Sequence, residues 1–261
     1  KRFCMIKEPF GNYFKKHYTL YIFMLPGLFY LLLFKYVPMY GVILAFKEWN
    51  VVKGVWGSRW VGFQNFAYLF GSKSFMQVFR NSIVISLLRL LWGFPMPIIL
   101  SLALNEVRSG YIKRPIQTLL YLPHFISWVV ITGMVFNFTN TSTGIINIVI
   151  KSLGRDPIPF LQSVKHFRSV IVIMEIWKTS GWGTIVFLSA MAAIDPNLYE
   201  AAIIDGANRF QRIYHVTLPS IVSTIVVLLI LRTGRILNNG FEQIFLLYNP
   251  LVYEVADVFE T

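Results

Sequence analysis

Charge is scarce in this chain. Only 14% of its 261 residues are Asp, Glu, Lys or Arg, against about 25% in soluble domains, so the composition excludes an ordinary water-soluble fold. Cysteine occurs once, at Cys4, which excludes an internal disulfide. The four histidines, His17, His124, His166 and His215, are far apart, and none has the His-Glu-x-x-His spacing of a zinc site. No Gly-Lys dipeptide occurs, and so no Gly-x-x-x-x-Gly-Lys-Ser/Thr loop to cradle nucleotide phosphates. A Gly-x-Ser-x-Gly nucleophile elbow is also missing. These absences argue against an enzyme and against a metal or nucleotide held by this chain.

Hydrophobic residues make up 56% of the chain, with a mean hydropathy of +0.59. Five apolar stretches, 18–46, 82–103, 118–138, 170–193 and 220–237, each reach the roughly 20 residues a helix needs to cross a bilayer. The fold class is therefore an all-α polytopic membrane protein. Pro26, Gly27 and Pro38 are expected to kink or shorten the first span. Pro95, Pro97 and Pro123 are expected to break the second and third. The run 144–150 is too short to cross and reads as a partial or interfacial helix.

The net charge of +12 has no basic run and no nucleic-acid recognition motif behind it, so it points to cationic loops at an anionic membrane face. With the N-terminus inside, segments 1–17, 105–116 and 194–217 carry ten cations in 53 positions, and the outward segments carry eight in 87. The positive-inside rule favours that orientation. The outward stretch 47–80 gathers Trp49, Trp56, Trp60, Phe63, Phe66, Tyr68 and Phe70. It suits either a segment lying along the membrane interface or a docking surface for an external protein.

Between the last two spans lies a polar loop. Asp195 is a good N-cap and Pro196 suits the first helical position. Leu198, Ala201, Ala202, Ile203 and Ile204 form an apolar stripe, with Glu200 and Asp205 on other faces. Gly206 permits a left-handed turn, and a second helical piece follows from about residue 207 to 216. Arg209 and Arg212 lie on that piece, where pairing with Asp205 would orient the loop, and Pro219 restarts the chain into the next span. Small residues at 201, 202, 206 and 207 leave a low surface for another protein. Physics alone also allows a plain interhelical connector.

Six cations fall inside or beside the spans: Lys35, Arg89, Arg168, Lys178, Arg232 and Arg235. A charge deep in a bilayer costs at least about 2.5 to 3.5 kcal/mol, so these must snorkel, pair or face water. Lys35 and Arg168 are placed to snorkel; Glu175 and Lys178, three apart on one helical face, are placed to neutralise each other. With Trp177, Thr179, Ser180 and Trp182 they offer the hydrogen bonds and stacking surfaces a sugar needs, and Asn238, Asn239, Glu242 and Gln243 add further polar groups. The alternative is interfacial tryptophan anchors beside a structural ion pair.

The loop's residue pattern carries a family resemblance. Glu200-Ala201-Ala202, three residues, Gly206, nine residues, then Val216, Thr217, Leu218 and Pro219 resemble the EAA loop of ATP-binding-cassette (ABC) importer permeases. Val61-Gly62-Phe63-Gln64-Asn65-Phe66 and Asn81-Ser82 are similar to elements of the sugar-importing branch. The likeness runs from about residue 18 to the end. It implies a type I importer permease fold with a sixth span expected beyond residue 261. The implied organisation is a cytoplasmic segment 1–17, a first span with aromatic extracytoplasmic segment 18–80, and a permease core 81–261 containing the coupling loop 194–219.

The resemblance further implies ATPase coupling through Glu200, Ala201, Ala202, Asp205, Gly206, Ala207, Arg209, Leu218 and Pro219. A carbohydrate pathway would run past Glu175, Trp177, Lys178, Trp182, Asn238 and Asn239. Implied partners are a second, nonidentical permease chain, two ATPase subunits holding ATP and magnesium, and an extracytoplasmic solute-binding protein. The implied location is a bacterial inner membrane. An ion-coupled secondary transporter, motivated by Glu175, and a noncatalytic membrane scaffold are the competing readings.

Overall fold

The computed structural model describes residues 15–107, 109–238 and 240–261, so Cys4, Arg108 and Asn239 lie outside the described residues. It divides into two units, Lys1–Ser72 and Lys73–Thr261.

In the first unit, helix α1 (Tyr18–Leu31) continues through a π-helical turn, Leu32–Tyr36, and a 3-10 stretch, Val37–Phe46, as one apolar run of 29 residues. Pro26 and Pro38 do not end it. Strand β1 (Lys47–Glu48) then pairs antiparallel with β2 (Arg59–Trp60), with the short helix α2 (Gly54–Gly57) between them. Gly62 at φ +61° turns the chain into α3 (Gln64–Gly71). Asn65 Nδ2 donates to the carbonyls of Ala45 and Lys47, each at 3.0 Å. Phe46 packs against Trp60, Phe63 and Phe66 at ring distances of 5.8, 5.5 and 5.3 Å. The aromatic segment is thus folded back on the end of its own helix.

The second unit opens with α4 (Lys73–Leu88), a π turn at Arg89–Gly93 and α5 (Pro95–Glu106), which together form a 34-residue apolar span. The sequence predicts a break at Pro95 and Pro97, and none occurs. The reason recurs along the chain. π turns end at Tyr36, Gly93 and Thr217, each two residues before a proline at 38, 95 and 219. A proline ring collides with the carbonyl four residues back, and the wider π turn displaces that carbonyl while the helix continues.

The third apolar stretch behaves differently. Helices α6 (Gly110–Phe125) and α7 (Trp128–Thr139) meet at 100° across extended Ile126 and Ser127, so the break expected at Pro123 in the span over 118–138 occurs as a sharp bend just after that proline. Ser127 caps α7 by accepting from Val130 N–H at 3.4 Å. Helix α8 (Ile145–Ser152) is the predicted short helix, pinned by buried Asn147, whose Nδ2 donates to Thr139 and Ile158 carbonyls at 2.9 and 3.0 Å.

Helix α9 (Phe167–Ala192) packs against α5 and α6. Gly181 and Gly183 allow this. A Cβ at 181 would overlap the Leu120 carbonyl, and one at 183 would lie 2.9 Å from Pro97 Cγ. Helix α10 (Pro196–Ile204) and helix α11 (Arg209–Arg212) form the loop, and α11 runs through the π turn Ile213–Thr217 into α12 (Leu218–Thr233). The last span is therefore continuous over Arg209–Thr233, beginning well before the predicted residue 220. Among the described residues, four helices are long and apolar enough to cross a membrane, and the bent pair brings the total to five if it counts as one crossing.

Helices α13 (Phe241–Leu247) and α14 (Tyr253–Ala256) close the chain against this bundle. Asn81 Nδ2 donates to the carbonyls of Glu254 and Asp257 at 2.9 and 3.0 Å, and Ser82 Oγ accepts from Phe259 N–H at 3.1 Å. Arg168 does not snorkel as predicted: it donates to Asn81 Oδ1 at 2.6 Å and to the Val255 carbonyl at 3.3 Å. Inside a polar cluster its charge is satisfied without reaching for water.

Candidate functional site

The loop 194–219 is built from local signals. Asp195 accepts from Asn197 N–H at 3.0 Å and Pro196 opens α10, as the sequence predicts. The helix ends in a complete Schellman motif: Gly206 at φ +78° donates to the Ile203 carbonyl at 3.0 Å, and Ala207 to the Ala202 carbonyl at 2.8 Å. Asn208 and Gln211 then form a reciprocal capping box, at 2.7 and 2.9 Å, which starts α11. The predicted pairing of Asp205 with Arg209 or Arg212 does not form among the described residues. The capping box fixes the orientation without ion pairs.

One cross-link was not visible in the sequence. Tyr199 and Thr217 share a hydroxyl hydrogen bond at 3.0 Å, tying α10 to the π turn, and Thr217 is fully buried. Between the two pieces lies a groove of about 470 Å³ lined by Ala201, Ala202, Asp205, Gly206 and Ala207 together with Leu198, Gln211, His215 and Val216. Glu200 and Arg209 are exposed outside it, and Leu218 and Pro219 begin α12. Ile204 and Phe210 flank the glycine turn, 85% and 83% exposed. Both contribute to an apolar knuckle, although only Ile204 was readable as part of a stripe.

The second cluster joins three spans. Glu175 on α9 meets Arg89, in the π turn of the second span, at 2.5 Å, and Arg232, at the end of α12, at 3.2 Å. Gln243 Oε1 accepts from Arg89 at 2.6 Å, while its own amide donates to the Ile171 carbonyl at 2.8 Å. The predicted Glu175–Lys178 pair is absent. Three residues along a helix bring two side chains near each other, yet here each finds stronger partners on neighbouring helices. A cavity of about 440 Å³ opens beside the cluster, lined by Ser86, Arg89, Leu90, Glu175, Leu228, Leu231, Arg232, Arg235, Ile236 and Asn238.

Lys178 has a separate task. Its ammonium donates to the carbonyls of Pro123 and His124, at 3.4 and 3.0 Å, and to that of Ile126. These carbonyls lie at the 100° bend, and that of Pro123 also accepts from Ile126 N–H at 3.2 Å. The same ammonium lies 5.3 Å from the Trp128 ring centroid, and Trp182 stacks on His124 at 4.7 Å. The six predicted pathway residues therefore separate. Glu175 and Asn238 line the cavity, Lys178 and Trp182 hold the bend, Trp177 is half exposed and lines neither cavity nor groove, and Asn239 lies outside the described residues.

Residues 93–258 match the family described as "Binding-protein-dependent transport system inner membrane component". The chain is 50% identical to protein LplB of Bacillus subtilis, a match covering 95% of this chain and 78% of that one. It is 46% identical to the polygalacturonan/rhamnogalacturonan transport system permease protein YteP of the same organism, over 93% and 75%. Among solved structures it is similar to a chain of a bacterial ABC transporter involved in the import of the acidic polysaccharide alginate. That likeness has a TM-score of 0.89 and 44% identity, covering 97% of this chain and 85% of the other. A second structure holds the bacterial alginate ABC transporter in complex with an alginate pentasaccharide-bound periplasmic protein, with a TM-score of 0.88 and 43% identity, over 97% and 84%.

Proposed function

Because this chain belongs to the family of inner membrane components of binding-protein-dependent transport systems, we propose that it is a pathway-forming permease subunit of an ABC importer. Its cargo is a carbohydrate, an oligo- or polysaccharide fragment, and its ATPase is a separate subunit that holds ATP and magnesium. The relatives' saccharide substrates support the cargo, and the absence of a phosphate loop supports the division of labour.

One observation carries the coupling mechanism: the loop and the charged cavity lie on a single helix. Residues Arg209–Thr233 are continuous, which at 1.5 Å per residue gives a rod of roughly 37 Å from the capping box to Arg232. The apolar knuckle at Ile204, Gly206 and Phe210 presents exposed surface of the kind that docks another protein. With the N-terminus cytoplasmic, that knuckle faces the ATPase. Closure of the ATPase pair then displaces the knuckle, and the rod carries the displacement to the Arg232–Glu175 contact, biasing a two-state rearrangement of the spans. A second, nonidentical permease chain completes the pathway, and an extracytoplasmic solute-binding protein delivers cargo. Glu175, which motivated an ion-coupled reading, is engaged by two guanidinium groups, those of Arg89 and Arg232.

The test is to purify the chain with its partners and measure ATP hydrolysis with and without saccharide-loaded binding protein. The reading requires a copurifying ATPase and stimulated hydrolysis. Uptake that survives ATP depletion and collapses with an ion gradient would overturn it.

A further inference from the structure

We propose that the cavity beside Glu175 is a carboxylate-binding site, with Arg232 and Arg235 as the ligands of a uronate unit on the transported saccharide. The inference rests on the importer reading above and names the chemical class of its cargo.

Charge accounting in the cavity leads to it. Its lining brings together three guanidiniums, Arg89, Arg232 and Arg235, and one carboxylate, Glu175. Arg89 is committed: it is 7% exposed and holds Glu175 at 2.5 Å and Gln243 at 2.6 Å. Glu175 is thereby the partner of a buried cation first, and its second oxygen reaches Arg232 only at 3.2 Å. The Arg232 side chain is 34% exposed, and that one contact uses a single member of its five-donor fork. Arg235 lines the same cavity and has no ion pair among the described residues. Two guanidiniums three residues apart at the end of α12 therefore point unspent donors into one space.

Uncompensated cations within a membrane protein cost free energy unless water or an anion meets them. A planar carboxylate fits such a pair best, because the guanidinium fork accepts its two oxygens side by side. The volume, about 440 Å³, falls within the roughly 300–1,000 Å³ of small-molecule sites and admits one sugar unit with its neighbours extending outward. Asn238 adds an amide for a ring hydroxyl, and leucine side chains on the same wall supply an apolar surface for the sugar's C–H face. A neutral sugar would leave the excess positive charge unmet, and a cationic one would be repelled.

The experiment uses the purified, assembled transporter without its external binding protein. Two probes are titrated calorimetrically: a galacturonate trisaccharide and the same trisaccharide fully methyl-esterified, which is neutral. The acid is expected to bind roughly tenfold or more tightly than the ester, the effect of one charge-assisted hydrogen-bonded pair. Arg235→Gln, at an exposed position, is expected to abolish that preference. Arg235→Lys keeps the charge but not the fork and is expected to restore only part of it. Equal binding of acid and ester, or an acid preference untouched by Arg235→Gln, overturns the carboxylate assignment and leaves the carbohydrate reading standing. Failure of both probes to bind overturns this site and counts against a carbohydrate cargo.

Discussion

The carboxylate of Glu175 and the guanidinium of Arg89 meet at 2.5 Å between two different spans, both side chains largely buried. Removing one partner of such a pair strands the other charge, which costs about 3–5 kcal/mol, whereas removing both costs far less. Glu175→Gln should therefore lower the thermal stability of the purified protein more than the double variant Glu175→Gln with Arg89→Met. A double-mutant cycle on unfolding measures this. Additive effects would show that the two side chains are not energetically coupled.

Lys178 is expected to hold the bend between α6 and α7. Lys178→Met keeps the stem and deletes three donated hydrogen bonds to Pro123, His124 and Ile126, and it should cost about 1.5–3 kcal/mol, the range for a bond to a charged group. Limited proteolysis at residues 126–127 should accelerate in the variant. An unchanged cleavage rate with unchanged stability would assign the bend to the Ser127 cap alone.

Gly181→Ala should separate α9 from α6, because its added methyl overlaps the Leu120 carbonyl. Overpacking of this kind costs about 1–3 kcal/mol or more. Gly183→Ala meets the edge of the Pro97 ring and should cost less. Thermal unfolding of the two variants in one detergent ranks them, and the reverse order would contradict the packing described here.

Tyr248 lies outside the spans and donates to Asp257 Oδ1 at 2.8 Å. Burial first, then that hydrogen bond, push its phenol up from 10.0 to about 12. A raised value means the folded state favours the protonated form, so the contact's contribution is complete below about pH 10 and is lost as pH rises through about 12. The stability difference between the wild type and Tyr248→Phe should stay flat up to about pH 10 and shrink above it. Shrinkage beginning near neutrality would contradict this environment.

What the sequence disclosed followed the range of the interaction. The loop 194–219 was readable because its Asp195 cap, its Pro196 start and its Gly206 turn are decided by neighbours within a few positions. The partners of Glu175 were not, since Lys178 stands nearest along the helix while Arg89 and Arg232 arrive from other spans. Span ends were misplaced for a related reason. Hydropathy sees a polar segment at 209–217 and a proline at 219, but not the π turn that lets one helix run through both. Tyr199–Thr217 and the asparagine staple at Asn81 were equally hidden, being pairings that only the folded chain creates.

Tyr199→Phe deletes the hydroxyl bond that ties α10 to the rod, at a cost of about 1 kcal/mol. Insertion should be unchanged and stability should fall by no more than that, while saccharide-stimulated ATP hydrolysis should fall, because α10 can then move without the rod. Unaltered stimulation would remove this bond from the coupling path.

The central claim is that the turn at Gly206 transmits work between an ATPase and the spans. Gly206 has φ +78° and open space around it, so substitution there tests backbone conformation and not bulk. The decisive measurement is saccharide-stimulated ATP hydrolysis by the assembled transporter carrying Gly206→Asn or Gly206→Val. The account predicts near-normal stimulation with asparagine, which tolerates the left-handed region, and loss of stimulation with valine in a protein that still inserts. Full stimulation with valine would contradict it.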